Sequence, residues 1–478
     1  MTMITSHIYK QLVSFFEHEP TADQMLLMEQ LAGFISNPDK RSAFIINGYA
    51  GTGKTTVITA LVKLLESAGI KSVLMAPTGR AAKVINGYSG RPAYTIHKVI
   101  YRQQSSADSF SSFALNFNKL TNAFYIVDEA SMISNKTAEK SFFGSGNLMS
   151  DMVAFVYSGL GCRLILVGDS AQLPPVGEDL SAALIPEVFR YANVIAQYAT
   201  LHMVVRQNLE SGIYANATNI RNGIANEQGN IESTFHGFVL ANDVKRIAGN
   251  EVTEEIANAY SRYGLDETLV ICRSNKRAYR YNMGVRNHIL GRESEIESGD
   301  MVMVVKNNYF WLKDHPNSLF IANGDVLRVR RIRNFEERYG FRFADASLIA
   351  EGLPDSPEID AKVLLSTLSS DAAGMSSDDL RILYSRLEED YAEIINKRQR
   401  MLAIRNDPFF NALQIKYAYA VTCHKAQGGQ WSAVFIDKAF ALDELQITEN
   451  LRWLYTAVSR ATSQVFLVNY DDEFFIKP

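Results

Sequence analysis

Gly48-Tyr49-Ala50-Gly51-Thr52-Gly53-Lys54-Thr55 lies between a short apolar run, Phe44-Ile45-Ile46, and a segment, Val57 to Leu65, whose apolar residues recur at helical spacing. A strand, then Gly-x-x-x-x-Gly-Lys-Thr, then a helix is the context in which a loop cradles phosphates. The glycines let the backbone curl so that N–H groups point inward, and the helix N-terminus adds partial positive charge. Gly48, Ala50, Gly51, Thr52, Gly53, Lys54, Thr55 and Thr56 are therefore the expected binding residues for a nucleotide's phosphates. Lys54 is expected to reach the β- and γ-phosphates and Thr55 to ligate Mg²⁺. A Gly-rich turn at a strand end is ordinarily only a turn; the fixed spacing to Gly-Lys-Thr is what favours phosphate.

Further short apolar runs surround this loop: Val73-Leu74-Met75-Ala76, Phe124-Tyr125-Ile126-Val127 and Leu164-Ile165-Leu166-Val167. Each ends in Pro, Gly or Asp. Strands covered on both faces read this way, and their alternation with helical segments predicts a doubly wound α/β domain. Ile126-Val127 ends in Asp128-Glu129. Two acids at a strand end are often only solvated, but beside a phosphate loop Asp128 is expected to hold the metal and Glu129 to deprotonate the attacking water. Gln172, in Val167-Gly168-Asp169-Ser170-Ala171-Gln172, can bond both a γ-phosphate and that water, or be an ordinary loop residue. Arg206 and Arg460 lie in a second α/β pattern that begins near Val194. Each is either a surface ion-pair residue or an arginine finger, which stabilises the charge of phosphoryl transfer and makes hydrolysis depend on domain closure.

The chain has 478 residues, too many for one core. Its net charge of −4 excludes a basic coat, so any nucleic acid must sit in a local groove. Cys162, Cys272 and Cys423 are far apart and lack ligand spacing, so neither a zinc site nor a disulfide framework is expected. No apolar run approaches a membrane span, and Met1 to Pro20 is not a signal peptide; the expected location is cytoplasmic.

Residues 101–120 interrupt the first pattern. Tyr101-Arg102-Gln103 and Phe113-Ala114-Leu115 around a polar turn read as a projecting hairpin, the alternative being a surface loop. The second pattern pauses near Ser298. The run Gly299 to Val305, the turn Asn323-Gly324-Asp325 and the run Val326 to Val329 suit a small β-barrel, and Ser377 to Ile404 is helix-like. The expected domains are 1–200, carrying the phosphate loop and the hairpin; 201–298 with 411–478; and the insertion 299–410.

Taken in order, these segments resemble the motif set of superfamily 1 helicases from about Thr21 to Leu467. Thr21-Ala22-Asp23-Gln24 looks like an adenine-reading motif, with Gln24 on the base. Ala76-Pro77-Thr78-Gly79-Arg80 and Thr95-Ile96-His97 look like strand-contacting motifs. Val421-Thr422-Cys423-His424-Lys425-Ala426-Gln427-Gly428 looks like a motif touching both strand and nucleotide, and Tyr455-Thr456-Ala457-Val458-Ser459-Arg460-Ala461 matches the last motif. The strongest likeness is to the RecD-like and Dda-like branch, which moves 5′ to 3′. It implies two tandem RecA-like motor domains with an inserted β-barrel and a hairpin wedge. It implies an ATP hydrolase that moves on single-stranded DNA and splits a duplex fork. Pro77, Thr78, Thr95, His97, Thr422 and His424 are then the strand contacts, although Thr at such places also serves as a helix cap. Gly428 is placed beside the nucleotide. Phe110 and Phe113 are the wedge aromatics, and Tyr309, Phe310 and Trp311 are further stacking candidates, though most aromatics belong to cores.

Overall fold

The computed structural model describes residues 2–37, 39, 41–103, 113–136, 144–205, 211–226, 235–312, 321–350 and 358–476. Among these, two parallel sheets and a closed barrel organise the chain. In the first sheet the strand order is Ala93–Thr95, Ser72–Ala76, Phe124–Val127, Arg163–Gly168, Ser42–Gly48, Ile195–Leu201. All of these pairings are parallel. Every residue of Ser42–Gly48 is buried, as expected of a central strand covered by helices on both faces. The chain then turns through Gly51 and Gly53, at φ +74° and +78°, and enters the helix Lys54–Ser67. An L-residue at either glycine would be strained. Val57, Ile58, Leu61, Leu64 and Leu65 form the buried stripe of that helix.

Ile195–Leu201 pairs with Ser42–Gly48, so the second motor fold begins after this strand rather than near Val194. The second sheet has the order Ala420–Thr422, Thr268–Cys272, Trp431–Asp437, Ala461–Val468, Val244–Ile247, again all parallel. The architecture is α/β, with two tandem RecA-like motor folds.

Between the two parts of the second sheet lies the expected barrel: Met301–Val304, Val326–Arg338, Phe341–Ile349, Ile359–Leu364 and Leu413–Tyr417. Its last strand falls beyond residue 410, where the insertion is expected to end. Tyr417 to Thr422 reads as one strand, yet the chain bends at Ala418-Tyr419, so that Leu413–Tyr417 closes the barrel and Ala420–Thr422 edges the motor sheet. The charged stretch between the fourth and fifth barrel strands folds as the helices Ser377–Asp390 and Lys397–Arg405.

Asp300, fully buried at the start of the barrel, ties it to the second motor fold. Its carboxylate accepts from Arg286 Nε and Nη2, both at 3.0 Å, and from Tyr419 Oη at 2.8 Å and the Glu297 N–H at 2.8 Å. Arg292 adds a further ion pair. Removing one partner of a buried ion pair strands the other charge away from water. Asp300→Ala is therefore expected to destabilise the barrel and second motor fold by about 3–5 kcal/mol in urea unfolding; a loss below about 1 kcal/mol would mean that the arginines find water instead.

Tyr101–Gln103 pairs antiparallel with Phe113–Leu115, giving the base of the expected hairpin. Residues 104–112, Phe110 among them, lie outside the described residues. Phe113 needs correcting: it is no exposed wedge residue but is 3% exposed at the hairpin base, its ring centroid 4.8 Å from that of Tyr309. Tyr309 is likewise taken up in packing, because two aromatic faces gain more by excluding water together than apart.

Candidate nucleotide cleft and strand groove

A cleft of about 970 Å³ opens between the two motor folds. Gln24, Ala50, Gly51, Gly53, Lys54, Thr55, Thr56, Asp128, Glu129, Gln172, Gly428 and Arg460 all line it. Gly48 and Thr52 complete the loop behind it. Lys54 Nζ donates to the carbonyl oxygens of Gly48, at 2.5 Å, and Tyr49, at 3.0 Å, and lies 4.0 Å from Asp169. The ammonium thus rests on the loop's own carbonyls. Gln24 caps its helix reciprocally with Thr21 and donates from Nε2 to the Thr52 carbonyl at 2.9 Å. Its amide therefore braces the phosphate loop while lining the cleft.

Asp128 accepts from Tyr88 Oη at 2.8 Å and from the Glu129 N–H at 2.8 Å. Burial first, and then the Glu129 carboxylate, push the Asp128 carboxyl up to about 6. Glu129 has φ +54°, a left-handed conformation that costs energy in a residue with a Cβ. That twist turns its carboxylate toward the second motor fold, where Arg460 Nη1 lies 3.5 Å from Oε1. Arg460 is 4% exposed, and its guanidinium also donates to the carbonyls of Thr456 and Gly429 at 3.2 Å. A buried arginine of the second fold is thus held against an acid of the first. Arg206 lies outside the described residues.

Gln172 is 4% exposed, and among the described residues its Oε1 has no hydrogen-bond partner. A buried acceptor left open is costly and calls for a donor from a ligand or water. The oxygen donors of Thr55 and Asp128 suit a hard cation such as Mg²⁺, which takes one or two protein ligands and completes its shell with phosphate and water.

The strand motifs of the two folds abut. An added Cβ on Gly428 would come within 3.0 Å of Ala81 Cβ and 3.2 Å of Thr78 Oγ1. Arg80 lies over the Trp431 ring, 3.8 Å from its centroid. A cavity of about 210 Å³ beside this contact is lined by Thr78, Arg80, Asn323, His424, Lys425 and Trp431. Thr78 and Thr95 also cap helices, accepting from the N–H groups of Ala81 and Lys98 at 3.2 Å. Thr422 occupies a cap position without its hydroxyl bonding there. Pro77 ends the strand before Thr78. Burial pushes His97 down to about 4 and lowers His424, so each imidazole is neutral near pH 7 and can contact phosphate only as a hydrogen-bonding group.

Two residues lining the cleft, Tyr88 and Asp169, are not foreseen from the sequence, nor is Tyr455, buried behind Asp169. Tyr88 lies on the helix after Thr78, with no local sign of its acid partner. Asp169 ends a buried strand beside the quoted Gln172, the same signal that marks Asp128. Tyr455 stands in the last motif, but its partners are remote in sequence.

Residues 22–239 match the family model of an AAA domain, and residues 417–468 that of a UvrD-like helicase C-terminal domain. The chain is 24% identical to the ATP-dependent DNA helicase dda of Enterobacteria phage T4, over 90% of this chain and 95% of that protein. It is likewise 24% identical to protein R530 of Acanthamoeba polyphaga mimivirus, over 92% and 98%. It is 30% identical to the ATP-dependent RecD2 DNA helicase of Deinococcus radiodurans over 33% of this chain, though only 19% of that longer protein. A solved Pif1 helicase from Bacteroides aligns over 97% of this chain and 95% of its own, at 15% identity and a TM-score of 0.47. No helix among the described residues is long and apolar enough to cross a membrane. With a phosphate loop and its acids in one motor fold and the helicase C-terminal segment in the other, the chain is a superfamily 1 helicase of the RecD/Dda type.

Proposed function

We propose that this ATP-dependent DNA helicase hydrolyses ATP in the cleft between its motor folds and steps along single-stranded DNA, 5′ to 3′, to open a duplex fork. The observation that carries the reading is the pairing of Arg460 with Glu129 across the cleft. It supports reading Arg460 as the charge-neutralising arginine and Glu129 as the base of an arrangement that is complete only when the folds meet.

In the proposed reaction the bound nucleotide lies along the loop from Gly48 to Thr56, with Gln24 at the adenine side. Lys54 leaves the loop carbonyls for the phosphates. Gln172 Oε1 accepts one hydrogen of a water molecule, and Glu129 takes the proton as the water oxygen attacks the γ-phosphorus and ADP departs. Arg460 balances the charge that develops on the phosphoryl oxygens. Mg²⁺, held by Thr55 and Asp128, would supply further charge neutralisation at those oxygens. Thr78, Thr95, His97, Thr422 and His424 hold the strand by its phosphates, without reading sequence. The hairpin based on Tyr101–Gln103 and Phe113–Leu115, braced at Tyr309, separates the strands.

Strand displacement on partial duplexes with a single 5′ or 3′ tail tests the proposal. Unwinding only with the 5′ tail is the expected result. Unwinding only from the 3′ tail would overturn the polarity. Strand-stimulated hydrolysis with no unwinding on either substrate would leave a translocase that displaces other cargo.

A further inference from the structure

The loop that carries Gln172 is anchored from the opposite motor fold. Tyr455, 1% exposed on the helix Thr448–Val458, donates its hydroxyl proton to Asp169 Oδ2 at 2.6 Å. The same hydroxyl oxygen accepts the N–H of Ala50 in the phosphate loop at 2.7 Å. Both bonds leave the second fold and end on the first. Next to it, Thr456 Oγ1 accepts the N–H of Leu173 at 2.8 Å, and Gln427 Nε2 donates to the Leu173 carbonyl at 2.6 Å. The loop therefore has an anchor on the second fold at each end, Asp169 and Leu173. Its one further tie to the first sheet, among the hydrogen bonds described, is the Ser170 N–H on Asn47 Oδ1, at 2.9 Å. Gln172, whose Oε1 has no partner among the described residues, sits between the two anchors.

We propose that Tyr455 is a positioning residue for hydrolysis, acting from the second motor fold to set the Asp169–Leu173 loop, and through it Gln172, against the nucleotide. The inference rests on the role given to Gln172 above. A tyrosine hydroxyl can donate once, and here that proton and an acceptor site are committed to two elements of the other fold. Separation of the folds breaks both bonds at once and releases the loop at Leu173 as well. Closure thus delivers Gln172 together with Arg460, so that water is positioned only when the arginine is in place. Burial holds the Tyr455 hydroxyl well above its ordinary value, and it stays a donor throughout the working pH range.

The test compares Tyr455→Phe, Gln172→Ala and the double variant with the unaltered chain, measuring single-strand-stimulated phosphate release and checking folding by thermal melting. Losing a hydrogen bond to a charged group predicts a fall in kcat of about tenfold to a hundredfold in Tyr455→Phe. The KM for ATP should change by less than about threefold, because Lys54 and the rest of the loop remain. In the Gln172→Ala background the added Tyr455→Phe should cost less than about twofold, since a residue acting through Gln172 has nothing left to act on. Equal falls in both backgrounds, a loss carried by KM, or an unchanged kcat overturns the proposal. Full turnover in Gln172→Ala would withdraw the role of Gln172 and this relay with it; loss in Gln172→Ala but not in Tyr455→Phe removes the relay alone. Should Tyr455→Phe fail to fold, Thr456→Val, which deletes the acceptor of the Leu173 N–H together with a donation to the Arg452 carbonyl one turn back in the same helix, is judged by the same outcomes.

Discussion

Replacing Lys54 with alanine is expected to lower strand-stimulated ATP hydrolysis at least a hundredfold and to abolish unwinding, with the fold retained. Removing one preorganised donor from a developing oxyanion costs about a hundred- to a thousandfold in rate. Lys54 supplies a full charge as well as a donor. That charge lies on the Gly48 and Tyr49 carbonyls, 4.0 Å from Asp169, so it can exchange these partners for a triphosphate with little rearrangement. The side chain is about one-fifth exposed, and the freed carbonyls can take water. Thermal melting should therefore shift by no more than a few degrees. ATP affinity should fall together with kcat, because the ammonium meets the phosphates in the ground state too. Turnover above about a tenth of the unaltered rate would remove Lys54 from its role.

The reach of the sequence reading follows from how local each signal is. The phosphate loop was legible because strand, positive-φ glycines and helix are consecutive, and the structure places them at Ser42–Gly48, Gly51 with Gly53, and Lys54–Ser67. The hairpin base was legible for the same reason: both strands sit within fifteen residues around a polar turn. Phe113 was misread because hydrophobicity marks a residue as wanting burial or a base but does not name the partner; Tyr309 arrives from the insertion. The strand ending at Tyr417 falls on the motor side of a boundary drawn at residue 410, although it closes the barrel, because barrel and motor sheet both ask for short apolar runs. Period alone cannot tell them apart. The tie from Tyr455 to Asp169 and Ala50 spans 286 and 405 residues, a distance over which no local pattern speaks. The cap role of Thr78 and Thr95, by contrast, is a local rule, and at Thr78 it coexists with a place on the groove because a helix N-terminus turns its hydroxyl and its N–H groups the same way.

Glu129→Gln is expected to separate binding from hydrolysis, which Lys54→Ala cannot do. The substitution keeps the shape of the side chain and the strained φ of +54°, so the backbone cost is equal before and after. What goes is the proton acceptor and one negative charge. Losing a positioned general base predicts a fall in kcat of about a hundredfold to ten-thousandfold. Loss of the carboxylate also removes a like charge from beside the incoming triphosphate and releases Arg460 from its 3.5 Å pairing. ATP should then bind at least as tightly as before, measured with a fluorescent nucleotide, and the complex on single-stranded DNA should persist unhydrolysed. Arg460→Ala should lower kcat as well, and combining it with Glu129→Gln should cost less than the sum, because the two side chains meet across the cleft and act on one transition state. Strict additivity would place Arg460 outside the reacting group. Substantial turnover in Glu129→Gln would send the search for the base to Asp169, a buried carboxylate 4.0 Å from Lys54.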